Sequence, residues 1–284
     1  MSNYRKHQRV ILVGDGWGAI AAYQGLIQTF LTVSVLTDDD DLLALSPTRL
    51  SSKLDDMTGE LIVFAGYKRI VSSDILDRNT CINIHYSLLP KYRGFHSTVW
   101  AILNDEQELG LSVHLMNRYI DDGPIIAQYR VKNDFISTST HYMLLFNEYI
   151  KNHLGHIIID FINGNLVPVL QDKSLASWVG KRNLEDCRID FNQTLQYLKA
   201  FFRALVPPYP IPYFERQCKK YYVVEVDFFS SPVVTHTGRI LNIDHDGLWI
   251  KVQDGYLVIK SVVDSENNPV ALSEEFRIGQ FVNR

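Results

Sequence analysis

Apolar residues in the first half of the chain fall into short unbroken runs that are separated by stretches with helical spacing. The runs at residues 10–13, 31–36, 61–65 and 81–84 have the length of buried strands, and residues 19–30 follow the first run with the periodicity of a helix. Continuous apolar strands that alternate with helices are typical of a parallel sheet covered on both faces. The pattern therefore predicts a doubly wound, mainly parallel, Rossmann-like α/β domain.

The pattern changes in the second half of the chain. Residues 192–205 carry apolar side chains at helical spacing, and beyond residue 213 short apolar runs alternate with turns. Asp246-Gly247 and Asp254-Gly255 are hairpin signals within this region. We therefore predict a helical connector followed by a small C-terminal β domain. The predicted boundaries are 1–170 for the α/β domain, 171–213 for the connector and 214–284 for the β domain.

Composition is that of an ordinary globular protein. Hydrophobic residues make up 46% and charged residues 21% of the 284 residues, and the formal net charge is -4. A nucleic-acid partner is not expected, because a phosphate backbone requires a basic surface. Three widely spaced cysteines without a CxxC pair indicate neither a disulfide framework nor a zinc site. Because no secretory leader and no apolar stretch of membrane length is visible, we expect a cytoplasmic protein without membrane contact.

A glycine-rich loop follows the first predicted strand. Gly14-Asp-Gly-Trp-Gly-Ala19 matches G-x-G-x-x-A between a strand and a helix, and Asp38 ends the next strand. This context is typical of a dinucleotide site, where a pyrophosphate approaches the helix N-terminus. Against that interpretation, Trp17 places a large ring in the loop, and Asp38 belongs to a run of four aspartates typical of a solvated loop. The loop is therefore either a tight turn that binds no ligand or the cofactor site of an NAD-dependent sugar enzyme.

Three polar side chains occur where predicted strands end. Asn83 and His85 lie two positions apart, which places them on one face of a strand, and Asp121 follows a second strand-like run at residues 111–116. Ligands of parallel sheets gather at the carboxyl ends of the strands, so we expect the three to meet there. They would supply a base, an oxyanion donor and a carboxylate that orients the base, as acyl transfer to an amine requires.

Other interpretations stay open from these residues alone. Asn83 and Asp121 could hold turns, and His85 could be an ordinary buried histidine. A non-catalytic binding module would fit such roles. A metal site is not indicated, because the nearby histidines, His96 and His114 among them, have no recognised ligand spacing.

The sequence around these positions resembles the signature of the folate-dependent formyltransferases. Asn83-Ile-His-Tyr-Ser-Leu-Leu-Pro-Lys-Tyr-Arg-Gly94 is similar to the family pattern N-I-H-P-S-L-L-P-x-x-R/K-G, and Ile120-Asp-Asp-Gly-Pro124 follows at the family's spacing. Phe64-Ala-Gly-Tyr-Lys-Arg-Ile70 is similar to the family's A-G-Y/F-x-R-I-L segment. Tyr86 and Phe95 depart from the pattern, since proline and a small residue are usual there. Neither departure removes a catalytic group.

The resemblance implies 10-formyltetrahydrofolate as the formyl donor and no metal. It implies Asn83 as the oxyanion donor, His85 as the general base and Asp121 as the third catalytic residue. In this family the N-terminal glycine loop is not an NAD site. Residues implied to line the folate pocket, largely through backbone groups, are Arg69, Ile70, Val71, Tyr119, Ile120, Asp121, Asp122 and Gly123.

Members of the resembled family differ in the amine that they formylate. Glycinamide ribonucleotide transformylases are shorter chains with one domain, which disfavours them here. Methionyl-tRNA formyltransferases carry a C-terminal β domain but need a basic face, so they are the alternative. Enzymes that formylate nucleotide-linked amino sugars for O-antigen and other surface polysaccharides fit best. We therefore predict a dTDP-linked acceptor, dTDP-4-amino-4,6-dideoxyglucose.

A nucleotide sugar needs cationic or helix-terminal groups for its pyrophosphate and a flat face for its base. Such groups cluster near the signature. An exposed strand edge in the β domain further predicts a homodimer. The predicted substrate-binding residues are Trp17, Tyr67, Lys68, Ser87, Arg93, Phe95, His96 and Ser97.

Overall fold

The computed structural model describes residues 9–46, 48–50 and 53–283 of the chain. Its contacts divide these residues into two units. The first holds residues up to 98 together with 107–133 and 141–181, and the second holds 99–106, 134–140 and the residues from 182 onward. The three-part division with boundaries at residues 170 and 213 stays a prediction.

The first unit is built on the apolar runs that the sequence shows. Its strands are β1 (Arg9–Gly14), β2 (Thr32–Leu36), β3 (Leu61–Ala65), β4 (Thr80–His85), β5 (Arg93–Gly94), β6 (Glu108–Leu115), β7 (Ile125–Lys132) and β8 (Trp178–Val179). Six of them form one sheet in the order β2-β1-β3-β4-β6-β7, and β5 pairs with β8. Strands β1 to β4 are parallel, whereas β6 and β7 are antiparallel to their neighbours. The predicted mainly parallel α/β sheet is confirmed.

Helices accompany the sheet at the predicted intervals. They are α1 (Gly16–Leu26), α2 (Asp40–Leu45), α3 (Ser73–Arg78) and α5 (Ser139–Ile162), and a further helix, α4 (Ser97–Leu103), begins in the first unit and continues into the second. The aspartate run does not form a solvated loop, because Asp39 caps α2 by accepting from the N–H groups of Asp41 and Leu42. Along α5 the buried residues recur at helical spacing, as a helix covering a sheet requires. They include Tyr142, Phe146, Ile150, Leu154 and Ile158.

The second unit contains the predicted small β domain. Its strands are β9 (Tyr213–Arg216), β10 (Lys219–Ser230), β11 (Ile240–Asp244), β12 (Gly247–Val252) and β13 (Gly255–Val263), and its helices are α6 (Leu195–Ala204) and α7 (Leu272–Glu275). The strands form one antiparallel sheet in the order β11-β12-β13-β10-β9. Both predicted hairpin turns are present, since Asp244 pairs with Gly247 and Val252 with Gly255. Within the described part of the chain, none of the helices has the length and apolar character that crossing a membrane requires.

Candidate active site

The structure brings Asn83, His85 and Asp121 together. Asp121 Oδ1 lies 3.3 Å from Asn83 Nδ2, and Asp121 Oδ2 lies 3.5 Å from His85 Nδ1. Asp121 reaches the site by a route other than the expected end of a parallel strand, because β6 runs antiparallel to β4 and the loop after β6 folds back on it. Gly123 permits this return: a Cβ there would lie 1.8 Å from the carbonyl oxygen of Leu115.

His85 is buried, and its two ring nitrogens have different partners. Nε2 lies 2.8 Å from the carbonyl oxygen of Tyr92. A carbonyl can only accept, so Nε2 carries a proton and donates to it, which leaves the lone pair of the neutral ring on Nδ1. Burial lowers the pKa of His85, while the Asp121 carboxylate and the Tyr92 carbonyl act in the opposite direction. The net direction favours a neutral imidazole, which can act as a base.

Asp121 is held as a carboxylate. Burial would raise its pKa, but the neighbouring His85 and His114 rings and the N–H of Gly94, which donates to Oδ2 at 2.8 Å, outweigh burial and place the pKa well below its usual range. The backbone of Asp121 has φ of 50°, a left-handed conformation that a non-glycine residue adopts at a cost in energy. The surrounding contacts therefore impose both the charge and the conformation of this residue.

His114 also belongs to the site, although the sequence analysis assigns it no catalytic or binding role. Its Nδ1 donates to the Leu115 carbonyl at 2.8 Å, so a neutral ring offers the Nε2 lone pair to Asn83 Nδ2 at 3.2 Å. The same Nε2 lies 3.5 Å from Asp121 Oδ1. The amide donors of Asn83 thus engage His114 and Asp121, and an oxyanion would have to draw one of them away. Cross-strand pairing of Asn83 with His114 creates this contact, and that register is not readable from the sequence.

The residues implied to line the folate pocket lie on two loops. Val71 is buried in a core cluster, and Met116, which leads into the second loop, packs against the same cluster. The side chain of Val71 is therefore engaged in the core. Ile70 is 87% exposed although it is apolar, and Tyr119 and Ile120 are also exposed. These apolar side chains are therefore accessible to a ligand. The assignment of individual contacts stays a prediction.

Two serines predicted to bind substrate hydrogen-bond to backbone carbonyls within the protein, and their substrate role stays a prediction. Ser87 Oγ donates to the Lys91 carbonyl at 2.7 Å, and Ser97 Oγ donates to the Tyr86 carbonyl at 3.0 Å. Both serines are buried. Their hydroxyls shape the turn of the signature. His96, which precedes α4, is half-buried and has φ of 56°.

Arg93 is also engaged within the protein. It is 4% exposed, and its guanidinium donates to Asp122 Oδ1 at 2.7 Å and to Gln171 Oε1 at 2.6 Å. It lies under the exposed ring of Trp178, 5.6 Å from the ring centroid. This geometry favours a role in holding the Asp121-Asp122 loop over contact with a pyrophosphate, and the substrate role of Arg93 stays a prediction.

The remaining substrate candidates are divided between different surfaces. Tyr67 packs against Phe64 with ring centroids 5.4 Å apart, whereas Lys68 and Phe95 are exposed. Trp17 is exposed in a groove between α1 and α5 that contains none of the catalytic candidates. The groove is lined by Trp17, Ile20, Ala21, Gln24, Leu144, Asn147, Glu148 and Lys151.

The glycine loop after β1 is closed by carboxylates. The N–H of Gly16 donates to Asp39 Oδ2 at 2.7 Å, and Asp15 Oδ1 accepts from the Thr37 hydroxyl at 2.7 Å and from the N–H of Asp38 at 3.1 Å. The Gly16 N–H, together with the cap of α2, holds the pKa of Asp39 below its usual range. A pyrophosphate would meet two like charges here, which disfavours a dinucleotide site.

One group of potential metal ligands occurs among the described residues. The trio with ligand atoms close enough to share an ion is Asp244, His245 and Asp246, in the turn between β11 and β12. All three are exposed, and Asp244 already accepts from the Trp249 indole at 3.0 Å. Exposed acidic turns of this kind are common without an ion, so they indicate no metal chemistry.

The sequence matches two family models. The formyl transferase model matches residues 41–151, and the formyl transferase C-terminal domain model matches residues 182–278. A methionyl-tRNA formyltransferase of Campylobacter fetus subsp. fetus is 33% identical over 240 residues, which cover 82% of this chain and 75% of the relative.

Solved structures share the fold. The N-formyltransferase from Helicobacter canadensis, in complex with folinic acid and dTDP-3-aminofucose, has a TM-score of 0.69 at 18% identity and covers 89% of this chain and 98% of its own. A 4-N formyltransferase from Francisella tularensis has a TM-score of 0.65 at 20% identity and covers 77% of this chain and 97% of its own. At these identities the similarity supports a common fold.

Proposed function

We propose that this chain, which belongs to the folate-dependent formyltransferase family, transfers a formyl group from 10-formyltetrahydrofolate to the amine of a dTDP-linked amino sugar. The main support for this reaction is that Asn83, His85 and Asp121 lie within hydrogen-bonding or ion-pair distance of one another in a buried polar network. We take dTDP-4-amino-4,6-dideoxyglucose as the acceptor, for the synthesis of O-antigen or another surface polysaccharide.

The three side chains divide the chemistry between them. The folate would supply the activated formyl group. His85, neutral and with its lone pair on Nδ1, takes a proton from the attacking amine. Asp121, 3.5 Å from that nitrogen, stabilises the imidazolium and relays the proton toward the leaving nitrogen. An N–H of the Asn83 amide turns from Asp121 to the oxyanion that develops on the formyl group.

The charges of the second unit favour a small acceptor over tRNA. Lys260 lies 2.7 Å from Asp227 and 3.4 Å from Glu225, and Lys219 lies 3.8 Å from Glu275. The other two lysines of its strands are Lys220, which faces Glu185 and Glu215, and Lys251, which is buried. A phosphate backbone would have to compete with these carboxylates for Lys219, Lys220 and Lys260, and Lys251 is not accessible to it. The Helicobacter canadensis enzyme, whose structure holds a dTDP-linked amino sugar, supports the same choice by fold.

Formylation of methionyl-tRNA is the second candidate. The Campylobacter fetus relative bears that name and is matched over 75% of its length, across both family models. An NAD-dependent activity has less support, because carboxylates close the glycine loop. A cytoplasmic location, a homodimer and the absence of a metal stay predictions.

The proposal is tested by incubating the protein with 10-formyltetrahydrofolate and a panel of amines, followed by mass spectrometry for the gain of one formyl group. The panel holds dTDP- and UDP-linked 3-amino and 4-amino sugars and initiator methionyl-tRNA. We expect product with the dTDP-linked 4-amino sugar and none with the His85→Gln protein. Product with the tRNA alone would replace the acceptor assignment. Turnover of none of them would remove the proposed function.

A further inference from the structure

Residues 169–179, here termed the buttress segment, contact both loops that carry the candidate active site. Val169 pairs with Ile125 at the start of β7, and Trp178–Val179 pairs with Arg93–Gly94 as the two-stranded β5-β8 sheet. The sequence pattern predicts a domain boundary within this segment, at residue 170. In the structure the segment supports the candidate active site, because two of its side chains hydrogen-bond to backbone groups beside the catalytic candidates.

Gln171 holds the loop that carries Asp121. Its Nε2 donates to the carbonyl oxygens of Asp121 and Gly123, each at 2.8 Å, and its Oε1 accepts from Arg93. Arg93 in turn binds Asp122, so the amide of Gln171 closes a network around the loop. Gln171 is 9% exposed. A buried side chain that satisfies two carbonyls is costly to remove, since each would otherwise lose its partner.

Ser177 holds the other loop. Its Oγ accepts from the N–H of Tyr92 at 2.9 Å, and its carbonyl accepts from the N–H of Arg93 at 2.8 Å. Tyr92 has φ of 58°, so its backbone needs such support. This loop supplies the two backbone groups that define the site: the Tyr92 carbonyl, which accepts from His85 Nε2, and the Gly94 N–H, which donates to Asp121.

We propose that Gln171 and Ser177 are positioning residues for formyl transfer, which set the ring tautomer of His85 and the placement of the Asp121 carboxylate through backbone. Ser177 acts through the Tyr92 carbonyl, and Gln171 acts through the carbonyls on either side of Asp122. The effect on turnover rests on the proposed function. The effect on the His85 ring does not, and it can be measured without any acceptor.

The first test compares two serines of the buttress segment. Ser177→Ala removes the acceptor of the Tyr92 N–H, whereas Ser174→Ala removes a hydroxyl that bonds only the exposed Asp172. Nitrogen-15 NMR of the His85 ring should show the Nε2–H tautomer in the wild type and in Ser174→Ala. We expect a mixture of tautomers in Ser177→Ala and recovery in Ser177→Thr, which keeps the hydroxyl. An unchanged ring in Ser177→Ala would overturn the role of Ser177.

The second test compares two glutamines. Gln171→Met removes the amide that holds the Asp121 loop, and Gln128→Met removes an amide that bonds the Leu89 carbonyl and Ser112 instead. We expect kcat to fall about tenfold or more in Gln171→Met with KM for the acceptor little changed, because the reacting groups are misplaced while binding is kept. Equal losses in both variants would overturn the role of Gln171.

Failure of the proposed function is distinguishable from failure of this inference. If the wild type turned over no acceptor, the proposed function would fall, while the tautomer comparison would still decide whether Ser177 sets the His85 ring. If the wild type were active and both comparisons showed no difference within each pair, the positioning roles would fall and the formyltransferase assignment would stand. Thermal unfolding of every variant separates both outcomes from loss of the fold.

Discussion

Two loops of the first unit follow parallel strands of one sheet, and they use their polar groups in opposite ways. In the glycine loop after β1, the Gly16 N–H donates to Asp39 and Asp15 accepts from the Thr37 hydroxyl, so the polar groups of this loop pair with those of the segment after β2. At β4 and the signature loop that follows it, two donors, the Asn83 amide and the Gly94 N–H, converge on the carboxylate of Asp121 from the loop after β6, and the neutral His85 imidazole beside it keeps a lone pair.

This difference explains why the G-x-G-x-x-A motif predicts a ligand site less reliably than the signature does. G-x-G-x-x-A describes a backbone path that any tight strand-to-helix turn can take, and at Gly14 the requirement is steric: a Cβ would lie 1.8 Å from the Ala65 carbonyl oxygen. A binding loop must also leave its donors available to a ligand. Here Asp39 takes the Gly16 donor, so the motif is satisfied while its usual ligand is disfavoured.

The largest effect is expected from a substitution of Asp121. Asp121→Asn keeps the size of the side chain but removes the charge that stabilises a protonated His85. We expect kcat for formyl transfer to fall by roughly 10²–10⁴-fold, the usual contribution of proton transfer by positioned side chains. Steady-state kinetics with the best acceptor measures the loss, and circular dichroism checks the fold. Retention of more than about a tenth of wild-type kcat would remove Asp121 from the catalytic group.

The pH dependence of formyl transfer tests whether His85 at this site is a neutral base. Burial lowers the pKa of His85 below 6.5, and the reaction needs the neutral ring, so activity should persist at pH 6.5 and fall only as the pH drops through the lowered pKa. In Asp121→Asn the opposing effect of the carboxylate is gone, and the acid limb of kcat, measured at saturating acceptor so that protonation of the free amine does not enter, should move to still lower pH. An acid limb above 6.5 in the wild type would contradict a neutral buried base.

Much of this site could be predicted from the sequence, and the part that could not depends on strand direction and register. The spacing of Asn83 and His85 on one strand is local information, and Asp121 follows from the signature. The apolar run of β6 does not reveal that β6 is antiparallel to β4. The path of the chain to Asp121 and the pairing of Asn83 with His114 could therefore not be predicted from the sequence. Gln171 is hidden for another reason: its partners lie about 50 residues earlier, and a single glutamine carries no pattern.

A moderate effect on stability is expected from removing the carboxylate that pairs with the glycine loop. Asp39→Ala removes the cap of α2 and the acceptor of the Gly16 N–H. We expect the free energy of unfolding to fall by about 1–2 kcal/mol, as for loss of a helix cap, with kcat within a few-fold of wild type. Because the pKa of Asp39 is lowered by folding, its contribution is present above the ordinary aspartate pKa and is lost as the pH falls through the lowered value. Denaturant titration at neutral and acid pH measures both.

The smallest effect is expected at Asp38, and it separates the two interpretations of the motif. In a dinucleotide site this position would hold the ribose hydroxyls, so Asp38→Ala would abolish binding. In this structure the Asp38 side chain is exposed, and its backbone N–H, which the substitution keeps, makes the bond to Asp15. We therefore expect stability within about 0.5 kcal/mol of wild type and unchanged formyl transfer. NADH fluorescence should not change when either protein is added. Saturable NADH binding that Asp38→Ala removes would show that carboxylates within a glycine loop do not prevent it from holding a pyrophosphate.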